Sequence, residues 1–208
     1  EYRWAIARSP DDPWLRYNHG VLVEGRDPAA AAEEFRKALE AVPGNYVARE
    51  RLADALVRQG RFEEAVAECR EIVREMPYHA SAHLTMAYAL AQAGRLEESV
   101  EAYERAVRVS PALGVEAQDQ IGRIQLSRGR FDLAVEAFRK ALALGPRPDR
   151  AADLQYHLGH ALKKAGRRDE ARAEYDAVLR LEPDSVPALT GLGALLAATG
   201  HLAGGEAT

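Results

Sequence analysis

Asp153, His157 and His160 are the residues whose types and spacing come nearest to a chemical site. They fall at i, i+4 and i+7, which puts a carboxylate and two imidazoles on one face of a helix. Such groups ligate divalent metals, zinc above all, yet three ligands from one helix rarely close a shell without a fourth from elsewhere. Solvated polar side chains account for the same spacing. Cys69, the single cysteine, is followed by Arg70, and a neighbouring cation can lower a thiol pKa; its register between helices marks it instead as a buried structural residue. His79 and His83 sit at a junction between units, where packing or peptide contact is expected of them. No Ser-His-Asp order, phosphate-binding glycine loop or paired-cysteine metal motif occurs. The chemistry expected here is therefore recognition, with no catalytic residues, no metal and no cofactor.

What must position those residues is a repeat. Gly60, Ala65, Cys69, Ile72 and Pro77 recur as Gly94, Ser99, Tyr103, Ala106 and Pro111, each offset by 34 residues. Two amphipathic segments per period, with glycine after the first and proline after the second, predict an all-α fold: a right-handed α-solenoid of stacked antiparallel helix pairs, about 12 helices in all. The units cover 11–44, 46–79, 80–113, 115–148 and 152–185 of a single solenoid over 1–200. Residues 1–10 carry the pattern of a second helix from a preceding unit, with Tyr2, Ala5 and Pro10 spaced as Phe35, Ala38 and Pro43; 186–200 is the first helix of a further unit, and 201–208 a flexible tail.

Within the units, Gly25, Gly60, Gly94, Gly129, Gly166 and Gly200 are expected to end first helices, and the prolines at 43, 77, 111, 146 and 183 to stop second helices. Asp149 is expected to cap an extended first helix in the fifth unit. Gly122, Gly159 and Gly193 lie inside first helices, where glycine costs about 1 kcal/mol relative to alanine, so close helix contact is the expected reason for each.

Composition narrows the partner. Hydrophobic residues make up 47% of the 208, but with only 4 Phe and 2 Trp against many alanines the core must be thin and closely approached. The net charge is −4 with both signs interspersed, which speaks against nucleic acid as a partner. Of 28 basic residues only Lys37, Lys140, Lys163 and Lys164 are lysines, a bias typical of GC-rich, bacterial genomes, and the compartment, cytoplasm or periplasm, stays open. No apolar run reaches the roughly 18–20 residues needed to span a bilayer; Val186 to Ala198 comes closest and is broken by Pro187, Thr190, Gly191 and Gly193.

These spacings resemble the tetratricopeptide repeat, whose first helix carries an aromatic, Leu-Gly and an aromatic, and whose second carries small, aromatic, Ala and Pro positions. Five recurrences cover nearly the whole chain. The departures are local: Asn18 replaces the small residue of the first unit, Arg49, His83 and Gln118 replace the opening aromatic, and Cys69 takes the second-helix aromatic slot. The resemblance implies that first helices line a concave groove holding a peptide or protein segment. By register its lining would be Arg16 and His19; Glu50, Arg51, Asp54 and Arg58; Leu84, Thr85, Tyr88 and Gln92; Asp119, Gln120 and Arg123; and Tyr156, His157, His160, Lys163 and Lys164.

Two groove chemistries of that family are missing. The lysine–asparagine clamp for a terminal carboxylate would need Leu15 with His19, Glu50 with Asp54, or Leu84 with Tyr88. The asparagine ladder of sugar-transferring relatives would fall on Arg16, Arg51, Thr85, Gln120 and His157. The expected function is a protein-binding scaffold with a mixed-charge groove and Tyr88 and Tyr156 as aromatic anchors. The alternatives are a regulatory or substrate-presenting arm of a larger enzyme, self-assembly through the apolar face of 186–200, and, remotely, a metal-dependent enzyme resting on Asp153, His157 and His160.

Overall fold

Four of the first helices that are followed by Gly-Arg turn back in the same way. Gly60, Gly94, Gly129 and Gly166 adopt φ of 73°, 79°, 70° and 79°, a region that side chains with a Cβ avoid. The next N–H, of Arg61, Arg95, Arg130 and Arg167, then reaches back to the carbonyls of Leu56, Leu90, Gln125 and Leu162, each at 2.9 Å. This is the Schellman closure that satisfies a helix's last carbonyls. Three of those arginines go on to grip a glutamate one turn into the second helix: Arg61 with Glu64, Arg95 with Glu98 and Arg167 with Glu170, at 2.6–2.8 Å. The acid also meets the positive end of the helix it begins. In the fourth hairpin Leu133 occupies that place.

The fold is seen in a computed structural model that describes residues 4–5, 8–9 and 11–203, all α-helical with no strand among them. It forms two compact units that meet in sequence at Pro111 and Ala112. The first holds three hairpins: α1 (Pro13–Val23) with α2 (Pro28–Ala41), α3 (Tyr46–Arg58) with α4 (Phe62–Glu75), and α5 (Ala80–Gln92) with α6 (Leu96–Val109). The second holds α7 (Gly114–Ser127) with α8 (Phe131–Ala143), α9 (Pro148–Lys164) with α10 (Arg168–Leu181), and the closing α11 (Val186–Ala203). Within each unit a second helix packs on the next first helix, and first helices lie beside one another, α3 by α5 and α7 by α9 by α11. Eleven helices are described where about twelve were expected; the additional one, over 1–10, falls largely outside the described residues.

The core is a column of notches and rings. Phe35, Phe138 and Tyr175 are fully buried, and each fills the space of a missing Cβ on a first helix. A methyl at Gly20 would meet Phe35 at 2.6 Å, one at Gly122 would meet Phe138 at 2.6 Å, and Tyr175 would be struck from both sides, by Gly159 at 2.9 Å and Gly191 at 2.6 Å. In the middle hairpins Ala53 and Ala87 take the notch positions, Cys69 and Tyr103 take the ring positions, buried to 1% and 2% exposure, and Ser99 donates to the Ala87 carbonyl at 2.7 Å.

Several local expectations are corrected. The small residue opposite Phe35 is Gly20, not the Asn18 position; Asn18 is bonded instead to the Trp14 carbonyl at 2.7 Å, because α1 ends at Val23, three residues past its notch, where α7 and α9 run five past Gly122 and Gly159, and a turn one residue longer makes up only part of the difference. That longer turn, closed by Arg26 and Asp27 N–H groups on the Val23 carbonyl, leaves Gly25 outside the positive-φ set. Gly193 has nothing within 4 Å of an added Cβ, so the close approach belongs to Gly191. Asp149 is not a cap: Pro148, with φ preset for a first helical residue, starts α9 after Arg147. Gly200 does not stop α11, which runs to Ala203; a glycine ends a helix only where the following chain folds back to close it, and no second-helix pattern follows here. The rest of the expected tail, 204–208, lies outside the described residues.

Candidate functional site

First helices that lie side by side place particular slots opposite one another. Ser81 donates to Glu50, Thr85 to Asp54 (3.3 Å) and Arg150 to Asp119 (2.9 Å), and every one of these pairs is separated by 31 residues. In the first unit, where the repeat is 34 residues, a slot therefore faces the slot three positions earlier in the next repeat, about one helical turn back; in the second unit Gly122 and Gly159 are 37 residues apart, so Arg150 stands six positions before the slot equivalent to Asp119, in the additional turn that opens α9. These contacts build a face in each unit, and the residues feeding it decide the chemistry.

In the first unit the face is closed on itself. Arg16 pairs with Glu34 of α2 at 3.0 Å, and His19 Nδ1 stands 3.5 Å from the same carboxylate; both side chains are only 13% exposed. Arg51 holds Glu24 at 3.2 Å, and Arg58 donates to the Glu24 carbonyl at 3.3 Å. Glu50 also lies 3.9 Å from His79 Nε2. Burial, opposed by the Thr85 hydrogen bond, leaves the Asp54 carboxyl above the usual range. Leu84 and Thr85 are half-buried, whereas Tyr88 (42% exposed) and Gln92 stand open.

The second unit is different. Asp119 is 1% exposed, so it is not open on the face as its register suggested; Arg123 Nε and Arg150 Nη2, both at 2.9 Å, enclose its carboxylate. Gln120 is half-buried and Arg123 exposed. On α9, His157 stacks on Phe138 (5.8 Å between centroids, 19°) and meets Tyr156 edge-on at 5.2 Å; His160 meets Tyr156 edge-on at 6.4 Å. Burial, then the Arg123 charge, holds the His157 imidazole below its usual pKa. Burial, then Lys163 and Lys164, does the same to His160. Lys163 is half-buried and Lys164 exposed.

The i, i+4, i+7 trio does not converge. Asp153 is turned to Arg150 at 3.6 Å, and the two imidazoles pack on aromatic rings; among the described residues no three His, Cys, Asp or Glu side chains form a group able to hold a metal. The Cys69 thiol is pushed up to about 12 by burial, with Asp54, Glu50 and Glu68 adding to it, and Arg70 points to Glu98 at 3.2 Å. It cannot supply a thiolate near neutral pH. His79 caps α5, its Nδ1 accepting from the Ala82 N–H at 3.3 Å, and His83 Nε2 bonds the Pro77 carbonyl at 2.8 Å. Arg49, in an aromatic's slot, bridges Glu68 (2.6 Å) and the Pro43 carbonyl (2.9 Å).

Sequence register missed Ser81, Glu24, Glu34 and Arg150 as shapers of these faces. The 31-residue separation was present as a signal for Ser81 and Arg150. Among the described residues no helix is long and apolar enough to cross a membrane.

Comparison with known proteins agrees with this architecture. Family models described as tetratricopeptide repeat match residues 22–77 and 125–196, and another of the same description matches 84–151. A 70-residue stretch is 37% identical to Protein CTR9 homolog of Arabidopsis thaliana, covering 34% of this chain and 6% of that protein; the chain thus spans a small fraction of the curated relative it matches. Among solved structures, MamA superposes with a TM-score of 0.74 at 21% identity, over 82% of this chain and 92% of MamA. YrrB, described as a TPR protein with an unusual peptide-binding site, superposes with a TM-score of 0.73 at 20% identity, over 92% of this chain and 97% of YrrB.

Proposed function

The chain belongs to the tetratricopeptide repeat family, and from that premise we propose that it is a non-catalytic scaffold whose first-helix faces hold a segment of another protein. Proteins of this family are in general protein–protein interaction scaffolds, and that much follows from membership. The observation that carries the finer reading is the aromatic and polar surface of the first helices: exposed Tyr88 and Gln92 on α5, Arg123 on α7 and Lys164 on α9, with half-buried Tyr156, His160 and Lys163 on α9. Aromatic rings with a polar edge supply contact area at little entropic cost. YrrB's described peptide-binding site supports the analogy of fold.

Affinity capture with mass spectrometry, comparing the wild type with a Tyr88→Ala, Tyr156→Ala, Arg123→Ala variant, tests this reading. Loss of the captured proteins in the variant is expected, with far-UV circular dichroism unchanged. Equal capture by both overturns the assignment. A second reading, self-association through α11, rests on Val186 and Leu189, which are 70% and 50% exposed; a mass by light scattering that stays monomeric as concentration rises removes it.

A further inference from the structure

We propose that the first-helix face of the second unit is a docking site for an acidic peptide segment, whose carboxylates are held by Arg123, His160, Lys163 and Lys164 beside the Tyr156 ring. The inference rests on the first-helix reading above and deepens it by naming the partner's chemistry.

The chain has an excess of acid, at −4, and pairs many of its exposed cations with carboxylates. Lys140 pairs with Glu136 at 2.6 Å, Arg139 with Glu170 at 2.7 Å and Arg70 with Glu98 at 3.2 Å. Lys163 and Lys164 break that habit. Among the described residues no carboxylate lies within ion-pair distance of either, and they stand together in the last turn of α9. A helix C-terminus carries only about half a negative charge, so two ammonium groups exceed what the helix itself can balance.

The surroundings add cations and remove acids. Asp119 is consumed by Arg123 and Arg150 within the protein, and the guanidinium of Arg123, with five N–H donors, remains 41% exposed. Asp153 is ten residues before Lys163, about 15 Å along the helix, and is itself turned to Arg150. On the other side, α11 packs beside α9 and carries no Asp, Glu, Lys or Arg along its length. Gly191 is buried there against Tyr175, so α11 adds neither an acid nor a cation beside α9. The Tyr175 hydroxyl, buried in the same region against Tyr156 (6.1 Å between rings), has no hydrogen-bond partner. The field is local and short, suited to a few carboxylates and not to a long polyanion.

The first unit argues the point by contrast. Its equivalent slots carry Val57 and Arg58, then Ala91 and Gln92; Arg51 and Arg16 are held by Glu24 and Glu34, and Glu50 and Asp54 meet only hydroxyls across neighbouring first helices, so no pair of adjacent lysines is offered there.

The test uses the full chain and fluorescein-labelled nonapeptides of matched length: Glu-rich, Gln-rich and Lys-rich, with a single-stranded oligonucleotide as a fourth probe, read by fluorescence polarisation. The Glu-rich peptide is expected to bind, to weaken as salt is added, and to weaken about tenfold against a Lys163→Glu, Lys164→Glu variant. Lys37→Glu on α2, in the other unit, is expected to leave binding unchanged. No preference for Glu over Gln, equal affinity of the charge-reversed variant, or tighter binding of the oligonucleotide overturns the proposal. If the Gln-rich or Lys-rich peptide binds and Tyr156→Ala abolishes it, the first-helix reading stands and only the acidic partner falls; if none of the peptides binds, both fall.

Discussion

In the first unit, serine and threonine hydroxyls meet Glu50 and Asp54 across neighbouring first helices, while in the second unit an arginine meets Asp119 by the same 31-residue offset. A hydroxyl satisfies a carboxylate but leaves its charge, whereas a guanidinium cancels it. Contacts between neighbouring first helices thus finish two faces with opposite character. The first keeps the charge of Glu50 and Asp54 while Arg16 and Arg51 cancel Glu34 and Glu24, and among the described residues the second leaves Lys163 and Lys164 with no acid to meet. Repeats fix where a side chain stands; the type it meets on the next first helix decides what that position offers a partner.

The contrast extends into the core, and the largest expected effect lies there. Tyr175 fills the notches of Gly159 and Gly191, so Tyr175→Ala is expected to cost about 3–5 kcal/mol, whereas Cys69→Ala in the equivalent slot of the first unit costs about 1 kcal/mol, since far less volume is removed. Urea unfolding followed by far-UV circular dichroism measures both. Trp4 and Trp14, the only tryptophans, belong to the first unit, so their fluorescence is expected to stay unchanged as the second unit opens in Tyr175→Ala. Equal losses in the two variants would break the comparison.

Next come the buried acids. Asp119→Ala strands two arginines and is expected to cost about 2 kcal/mol, below the roughly 3–5 of a fully buried pair because both guanidiniums reach water. Asp54→Asn is expected to change stability by less than about 1 kcal/mol, since burial already disfavours the charged form. Urea midpoints at pH 7 decide it.

Within α11, two glycines two residues apart are expected to respond with opposite signs. Gly191→Ala drives a methyl into Tyr175 and costs about 1–3 kcal/mol. Gly193→Ala meets nothing within 4 Å and gains about 0.5–1 kcal/mol from helix propensity. Thermal melts of the pair give the sign directly.

The smallest effect is the pH response. His157 and His160 have lowered pKa values in the fold, so between the folded and unfolded values the unfolded chain binds more protons and the second unit loses stability as pH falls through the histidine range. Asp54 is raised, so the folded state binds more protons and the first unit gains from that group as pH falls through the carboxylate range. His157→Gln is expected to flatten the urea midpoint of the circular dichroism transition between pH 7.5 and 5.5; an unchanged slope contradicts the assignment.

Much of the fold was legible because each hairpin is written locally. Gly60, Gly94, Gly129 and Gly166 turn as their spacing demands, and the prolines follow second helices. What escaped depends on a partner segment. The early end of α1 at Val23 moved the notch from Asn18 to Gly20, and Pro148 took the helix start ahead of Asp149. Gly191, facing a ring from the preceding hairpin, could not be told from Gly193 by counting within its own helix. The faces were legible as positions and not as charges, because Asp119 is cancelled by Arg150 from the next repeat and Arg16 turns to Glu34 on its own hairpin's second helix.

The contrast between the two faces is tested most directly by mapping backbone amide chemical shifts on adding the Glu-rich peptide. Perturbations are expected to concentrate on α7 and α9, from Gln120 to Arg123 and from Tyr156 to Lys164, with α3 and α5 unmoved. Shifts centred on Glu50 to Arg58 or Leu84 to Gln92, or on the second helices α8 and α10, would contradict it.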